Sequence, residues 1–374
     1  MNRPSQENLP KEPSKDWVQT FLGKSLMDAA GYKLEDEPMI TAKLDQNECP
    51  WDWPAEVKNL VLEKLGKVDW SRYPSPFSEE LTIAISKHIG IGPQYILTGP
   101  GSNAIIAMVF DAVGPRLAQG KMVVARPSFA LFESQCQYSG IPFETWNLDH
   151  NLNYDLSKMP DLPPGSMVVF ASPNNPTGST LEQKDLVHLL ESHPDVLFFA
   201  DEAYFEFSEG SYQDLLGSHS NLLILRTFSK TLGAAGLRIG YLLGSEAMIS
   251  QISKRRLPYL LNHFCVIAAQ TMMEHPRMAQ FLGEHVEHVK LERERVYQAL
   301  TSHAAGEFEV KNSEANFVLI RFKDQAQCME IHQSLASKGI MVRNVSKGPM
   351  LQGCLRVSIG KKEENDRLIQ ALQR

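Results

Sequence analysis

The sequence predicts an α/β fold: a mostly parallel sheet wrapped by helices, followed by a small α+β unit. Three observations carry this reading. From Tyr95 to about Tyr241, short apolar runs alternate with helical stretches, the pattern of helix-separated strands in a parallel sheet. Among them, Phe198-Phe199-Ala200 is apolar throughout, as strands buried on both faces are, and it ends on Asp201. Beyond a long helical run from about Arg277 to His303, strands and helices follow one another in a compact tail.

In chain order, residues 1 to about 40 are polar with several prolines, and the spacing of Trp17, Phe21, Leu22, Leu26 and Met27 predicts one amphipathic helix in a docking arm or N-terminal lid. The strands of the main sheet are read at Tyr95–Thr98, Met122–Ala125, Met167–Phe170, Leu197–Ala200, Leu222–Leu225 and Ile239–Leu242. In the tail, strands are read at Asn316–Ile320, Ile340–Val342 and Leu355–Ile359, with helices at about 325–338 and 361–373. A chain of 374 residues exceeds the roughly 250–300 that one core sustains. The expected division is an arm over 1–40, a large domain over 71–264 and a small domain built from 41–70 with 265–374.

Composition narrows the function classes. Hydrophobic residues make up 43% and charged residues 22%, ordinary for a soluble globular enzyme. A formal net charge of −7 argues against a polyanionic partner, and the short run Lys254-Arg255-Arg256 reads as a solvated helix face, so no nucleic acid is expected. No apolar run approaches the roughly 18 residues of a membrane span, and the polar N-terminus lacks a signal-peptide core, so a cytoplasmic protein without membrane contact is expected. The cysteines are odd in number, dispersed and never Cys-x-x-Cys, which predicts neither a disulfide framework nor a metal site.

The chemistry concentrates in Thr227-Phe228-Ser229-Lys230-Thr231-Leu232-Gly233-Ala234-Ala235-Gly236-Leu237-Arg238. An apolar, glycine-rich setting with cationic neighbours lowers an amine's pKa toward its neutral, nucleophilic form, so Lys230 is poised to form a Schiff base. Arg238 and the hydroxyls of Thr227 and Ser229 suit a phosphate. Asp201 lies at the carboxyl end of its strand, where open α/β sheets place ligand groups, and its carboxylate suits a pyridinium nitrogen. Singly, each has a blander explanation as a surface lysine, a turn or a helix cap. Jointly they describe pyridoxal phosphate, whose ring draws electrons from a carbanion while an aspartate keeps its nitrogen protonated. With Ser172-Pro173-Asn174-Asn175-Pro176-Thr177-Gly178 and Asp201-Glu202-Ala203-Tyr204 upstream, the chain resembles the fold-type I pyridoxal-phosphate aminotransferases of class I and II over about residues 40–374.

That resemblance implies a large domain with a mostly parallel seven-stranded sheet and a small α+β domain. It assigns catalysis to Lys230, Asp201 and Tyr204. Gly99-Pro100-Gly101-Ser102-Asn103 follows a strand and opens a helix, so its backbone N–H groups face an anion. The resemblance accordingly gives Gly101, Ser102 and Asn103, with Thr227, Ser229 and Arg238, to the cofactor phosphate. It stacks Phe129 on the ring and turns Asn175 and Tyr204 to its phenolic oxygen.

Two further elements are similar to the histidinol-phosphate aminotransferase branch: Asn47-Glu48-Cys49-Pro50 with Arg72-Tyr73-Pro74, and Gly339-Ile340-Met341-Val342-Arg343 with Cys354-Leu355-Arg356-Val357-Ser358-Ile359-Gly360. The branch implies a homodimer with shared active sites, in which Tyr73 reaches the neighbouring subunit's cofactor phosphate, and substrate binding by Arg343, Arg356 and Asn47. Guanidinium groups clamp carboxylate or phosphate alike. The chain departs from the branch in lacking a Pro-Tyr element before Asn47, and Trp51-Asp52-Trp53-Pro54 puts aromatic bulk near the expected substrate mouth. The implied reaction is ping-pong transamination between histidinol phosphate and 2-oxoglutarate, giving imidazole acetol phosphate and glutamate. An aromatic or phenylalanine aminotransferase and a phosphothreonine-type decarboxylase share the same lysine, aspartate and arginines. A cofactor-sensing regulator on this fold would carry a DNA-binding domain, for which no basic helix is present.

Overall fold

A computed structural model describes residues 12–28, 40–117, 120–303 and 306–373. Its twelve strands are β1 (Ala42–Leu44), β2 (Ile96–Gly99), β3 (Met122–Arg126), β4 (Phe143–Asn147), β5 (Met167–Ala171), β6 (Leu197–Asp201), β7 (Leu222–Thr227), β8 (Gly240–Leu243), β9 (Phe308–Lys311), β10 (Phe317–Phe322), β11 (Ile340–Asn344) and β12 (Cys354–Ser358). They form two sheets.

The larger sheet has seven strands in the order β2-β8-β7-β6-β5-β3-β4. β8 alone runs against both of its neighbours, β2 and β7, while the pairings from β7 across to β4 are parallel. The mostly parallel seven-stranded sheet is therefore present. Its central strands are apolar on both faces because helices cover both. In β5, Val168 and Phe170 join one cluster of buried side chains while Met167, Val169 and Ala171 join another, as the two-residue period of a strand requires. Phe198 and Phe199 of β6 divide in the same way, and truncating either to alanine would cost about 3–5 kcal/mol.

The smaller sheet runs β1-β11-β12-β10-β9 and is antiparallel except for β1, which pairs in parallel with β11, Leu44 opposite Val342. Residues from near the start of the chain thus complete a sheet made by its end. The helices Ala55–Leu65 and His263–Glu274 bury Val57, Val61, Val266 and Ala269 in the same cluster as one face of the larger sheet. A helix of 28 residues, Pro276–His303, runs on into the smaller sheet's core, where Val289, Val296 and Leu300 are buried.

The expected N-terminal helix forms over Lys15–Asp28, with Trp17, Phe21 and Leu22 exposed; residues 1–11 and 29–39 of the arm lie outside the described residues. Among the described residues no helix is long and apolar enough to cross a membrane.

Candidate active site

The carboxyl ends of β5, β6 and β7 lie side by side, Ala171 opposite Asp201 and Asp201 opposite Leu225. Asp201 therefore stands in the middle of the sheet's mouth. It is 5% exposed, and one carboxylate oxygen accepts from the Ala203 backbone N–H at 2.9 Å. Burial, helped by the negative charge of Glu202, pushes its pKa up to about 7, against the pull of that hydrogen bond and of Lys230.

Beyond β7 the chain makes a long connection and returns antiparallel as β8, Thr227 opposite Gly240. Backbone bonds from Phe228 N to Ile239 O (3.0 Å) and from Ala234 N to Phe228 O (3.1 Å) fold the connection onto itself and return Arg238 to Ser229. Arg238 Nη1 donates to Ser229 Oγ at 3.2 Å, and Thr227 Oγ1 donates to Ser229 Oγ at 3.0 Å. Arg238 sits in the left-handed region at φ 52°, a conformation that costs a non-glycine residue roughly 1–2 kcal/mol and that clusters at functional sites.

The glycines show how closely a third element approaches. The helix Ser102–Val113 begins after Gly101, whose φ is +86° and whose hypothetical Cβ would stand 2.7 Å from Arg238 Nη2. A Cβ on Gly240 would stand 2.7 Å from the Ser102 nitrogen. Backbone N–H groups of a helix N-terminus, the Arg238 guanidinium and two hydroxyls thus converge on one cradle, a donor set suited to a phosphate dianion. Asn103, expected in this group, lies exposed on the helix's first turn.

Lys230 reaches the segment that follows β1. Its Nζ donates to the Gln46 carbonyl at 2.8 Å and lies 5.9 Å from the centre of the Tyr204 ring. Burial first, then the positive charges of Arg356 and Arg238, lower its pKa to about 8, so about a tenth of it is neutral at pH 7. The Tyr204 hydroxyl accepts from Asn47 Nδ2 at 3.0 Å, and burial raises its pKa.

Asn47 ties this face to the smaller sheet. At φ 55°, a left-handed conformation that asparagine tolerates, it donates its N–H to Ser358 Oγ at 2.8 Å, accepts from Ser358 Oγ on its side-chain oxygen at 2.8 Å, and accepts from Asn316 Nδ2 on its carbonyl at 3.0 Å. From β12, Arg356 Nη1 donates to Asn175 Oδ1 at 2.7 Å and Nη2 to the Asp45 carbonyl at 2.6 Å. Arg343 is its register partner across β11 and β12.

The structure thus gathers Lys230, Asp201, Tyr204, Asn47, Asn175 and Arg356 around one mouth, with the Gly101–Ser102–Ser229–Arg238 cradle beside it. Phe129 is half-buried at the end of β3, edge-on to Phe132 at 5.7 Å, while its neighbour Ser128 donates to Asn174 at 2.6 Å. Tyr73 is 80% exposed and stacks on Tyr259 at 4.5 Å. Trp53 is buried and donates its indole N–H to the Leu232 carbonyl at 2.8 Å, bracing the lysine loop. Ser358, Asn316 and the carbonyls of Asp45 and Gln46 were missed by sequence reasoning. Ser358 had a signal, since it lies two positions from Arg356 on one strand and shares its face; backbone carbonyls have none.

Several observations fit pyridoxal phosphate: a buried carboxyl with room for a donor, a depressed lysine, and an arginine seated where Gly101 lacks a Cβ.

The family described as aminotransferase class I and II matches residues 40–372. A histidinol-phosphate aminotransferase of Carboxydothermus hydrogenoformans is 36% identical over 334 residues, covering 88% of this chain and 91% of that protein. One from Aquifex aeolicus is 33% identical over 356 residues, covering 94% and 97%. Among solved structures, the histidinol-phosphate aminotransferase of Sinorhizobium meliloti in complex with pyridoxal-5'-phosphate superposes with a TM-score of 0.75 at 23% identity, covering 89% of this chain and 90% of that one.

Proposed function

We propose that this chain, which belongs to the class I and II aminotransferases, acts on histidinol phosphate with 2-oxoglutarate as the acceptor. The single observation that carries the catalytic part of this reading is the pairing in one mouth of a lysine lowered to about 8 with a buried aspartic acid raised to about 7. The family depends on pyridoxal phosphate, and we assign this chain's cofactor site to Lys230, Asp201, Tyr204, Asn175, Phe129 and the Gly101–Ser102–Thr227–Ser229–Arg238 cradle.

Bound there, the cofactor supplies an aldehyde that takes up an amine and a ring that draws electron density from the neighbouring carbon. The chain's own groups do the rest. Asp201 ionises against the ring's N–H and keeps that proton in place. Asn175 offers its side-chain N–H groups and Tyr204 its hydroxyl proton to an anionic oxygen. The Lys230 amine would accept the proton from the substrate's Cα and return it to the cofactor's C4′ carbon, two atoms along, which its lowered pKa permits at neutral pH. Burial of the site keeps water from that proton.

Arg356, steadied by Asn175 and the Asp45 carbonyl, meets the substrate anion. Arg343, its register partner on β11, gives a phosphate ester, richer in acceptor oxygens than a carboxylate, a second guanidinium. We further propose a homodimer in which Tyr73 completes the partner's site. The exposure of Trp70 (75%), Tyr73 (80%) and Leu257 (67%) supports this reading, since apolar clusters of this kind mark association surfaces.

The test is single-turnover conversion of cofactor-loaded enzyme, followed by visible absorbance, with histidinol phosphate and with phenylalanine. Histidinol phosphate is expected to react at least tenfold more efficiently, and Arg343→Ala to narrow that ratio. Preference for phenylalanine would move the assignment to an aromatic aminotransferase.

A further inference from the structure

Beside the lysine loop, lined by its Phe228, Thr231 and Leu232 but not by Lys230, lies a cavity of about 580 Å³ that the proposed reaction does not use. It separates the larger sheet's loops from the helix Pro276–His303. Its walls are apolar: Phe205, Phe228, Leu232 and Tyr241 on the sheet side, Leu282 and Val286 on the helix. Drug-sized ligands occupy pockets of roughly 300–1,000 Å³ with this character, fixed in orientation by a few polar groups.

Here the polar group is a carboxyl. Glu206 lines the cavity with Thr231, whose Oγ1 donates to Glu206 Oε2 at 2.9 Å. Among the described residues Glu206 forms no ion pair. Arg226 is near, but its N–H groups are committed to Glu202, Gln213 and Ser211 at 2.6–3.0 Å. Lys290, on the helix wall, donates to the Ser208 carbonyl at 3.2 Å. His88, from the helix Glu79–Ile89, is held below its ordinary pKa by burial, which disfavours its charged form; Glu287 is the other carboxylate on the lining.

The geometry points to a regulatory site for an amphiphilic cation: an ammonium that pairs with Glu206, carried on an aromatic or branched aliphatic body that fills the apolar cavity. Two observations besides the volume support this choice. The Glu206 carboxyl, half-buried among the apolar walls with Thr231 as its donor, has its pKa pushed up to about 7 by desolvation, so a cation that restored its charge would be held and a carboxylate rejected. Thr231, the donor to Glu206, follows Lys230 directly in the chain, so a ligand that recruits Glu206 acts on the segment carrying the lysine. That coupling rests on the assignment of Lys230 above; binding itself does not.

The test uses cofactor-loaded enzyme and N,N-dimethyl-2-phenylethylamine, a tertiary amine that cannot condense with an aldehyde. Calorimetry is expected to show saturable binding that weakens at least tenfold in Glu206→Gln and in the cavity-filling Leu282→Phe. Binding is expected to persist in Lys230→Ala, which separates this result from any failure of the transaminase reading. Affinity should rise about tenfold from pH 6 to pH 8 as Glu206 ionises, given a pKa of about 7. 3-Phenylpropionate should not bind. No saturable binding, binding unchanged in both variants, or equal binding of the carboxylate would each overturn the proposal, and inhibition competitive with the amino donor would remove its regulatory part.

Discussion

Asp201 and Glu202 are consecutive acids at the end of one strand, both buried, and they meet opposite fates. Glu202 points to a side where everything is ready for it: Arg226 pairs with it at 2.9 Å, the Ser211 hydroxyl donates at 2.9 Å and the Tyr212 N–H at 2.6 Å. Arg226 is itself fixed, 3.9 Å above the Phe205 ring. Asp201 receives one backbone N–H and has its pKa raised to about 7. A buried carboxyl with a full set of donors holds the fold together; one left short of donors is reserved for a ligand that brings its own.

Breaking the two sides should therefore give different phenotypes. The largest effect belongs to the reaction mouth: Lys230→Ala should lower turnover by at least about 10³-fold, since it removes both nucleophile and proton carrier, with little change in thermal stability. Steady-state kinetics beside a melting curve checks both halves. Next comes the paired side. Arg226→Met strands Glu202 as an unpaired buried charge, and chemical denaturation should register a loss of about 3–5 kcal/mol.

Asp201→Asn sharpens the contrast. Activity should fall about 100-fold because a neutral amide cannot keep the ring nitrogen protonated, yet the cofactor-free protein should not lose stability. The sign follows from the raised pKa: wild-type Asp201 favours the folded state fully only below its ordinary value of 3.8, and that contribution is lost as pH rises toward about 7. Cofactor-free Asp201→Asn should consequently be more stable than wild type at pH 8 and indistinguishable from it near pH 3. A stability loss at pH 8 would place Asp201 with Glu202 after all. The smallest effect is expected of Tyr204→Phe, which deprives Asn47 of an acceptor and should cost about 1–3 kcal/mol in kcat/KM.

Much of this was legible in the sequence, and the exceptions are instructive. The strands of the large sheet announced themselves because they are buried on both faces and apolar throughout. β4, Phe-Glu-Thr-Trp-Asn, sits at the sheet's edge with only Trp146 fully buried, so nothing in it reads as a strand. β1 spans three residues and exists as a strand only because β11, nearly 300 residues later, lies beside it. In the site, Lys230 and Arg238 could be read because both lie on one connection. The Glu202–Arg226 pair could not: their separation in the chain says nothing about charge pairing, and only the adjacency of β6 and β7 brings them together. That Trp53 turns inward was not legible either, since an aromatic run in a loop does not reveal which ring does.

Asn47 carries a consequence for how the protein is made. It is bonded to Tyr204, Asn316 and Ser358, the last of them 311 positions further along the chain. At about 5–20 residues per second, the ribosome delivers Ser358 roughly 16–60 s after Asn47. Until then the Asn47–Ser358 bonds cannot form, while the larger sheet already can. The reaction mouth is thus closed by the last strand to be synthesised, and a nascent chain halted before residue 354 would carry Lys230 and the phosphate cradle without the Ser358 and Arg356 contacts that fix Asn47 and Asn175.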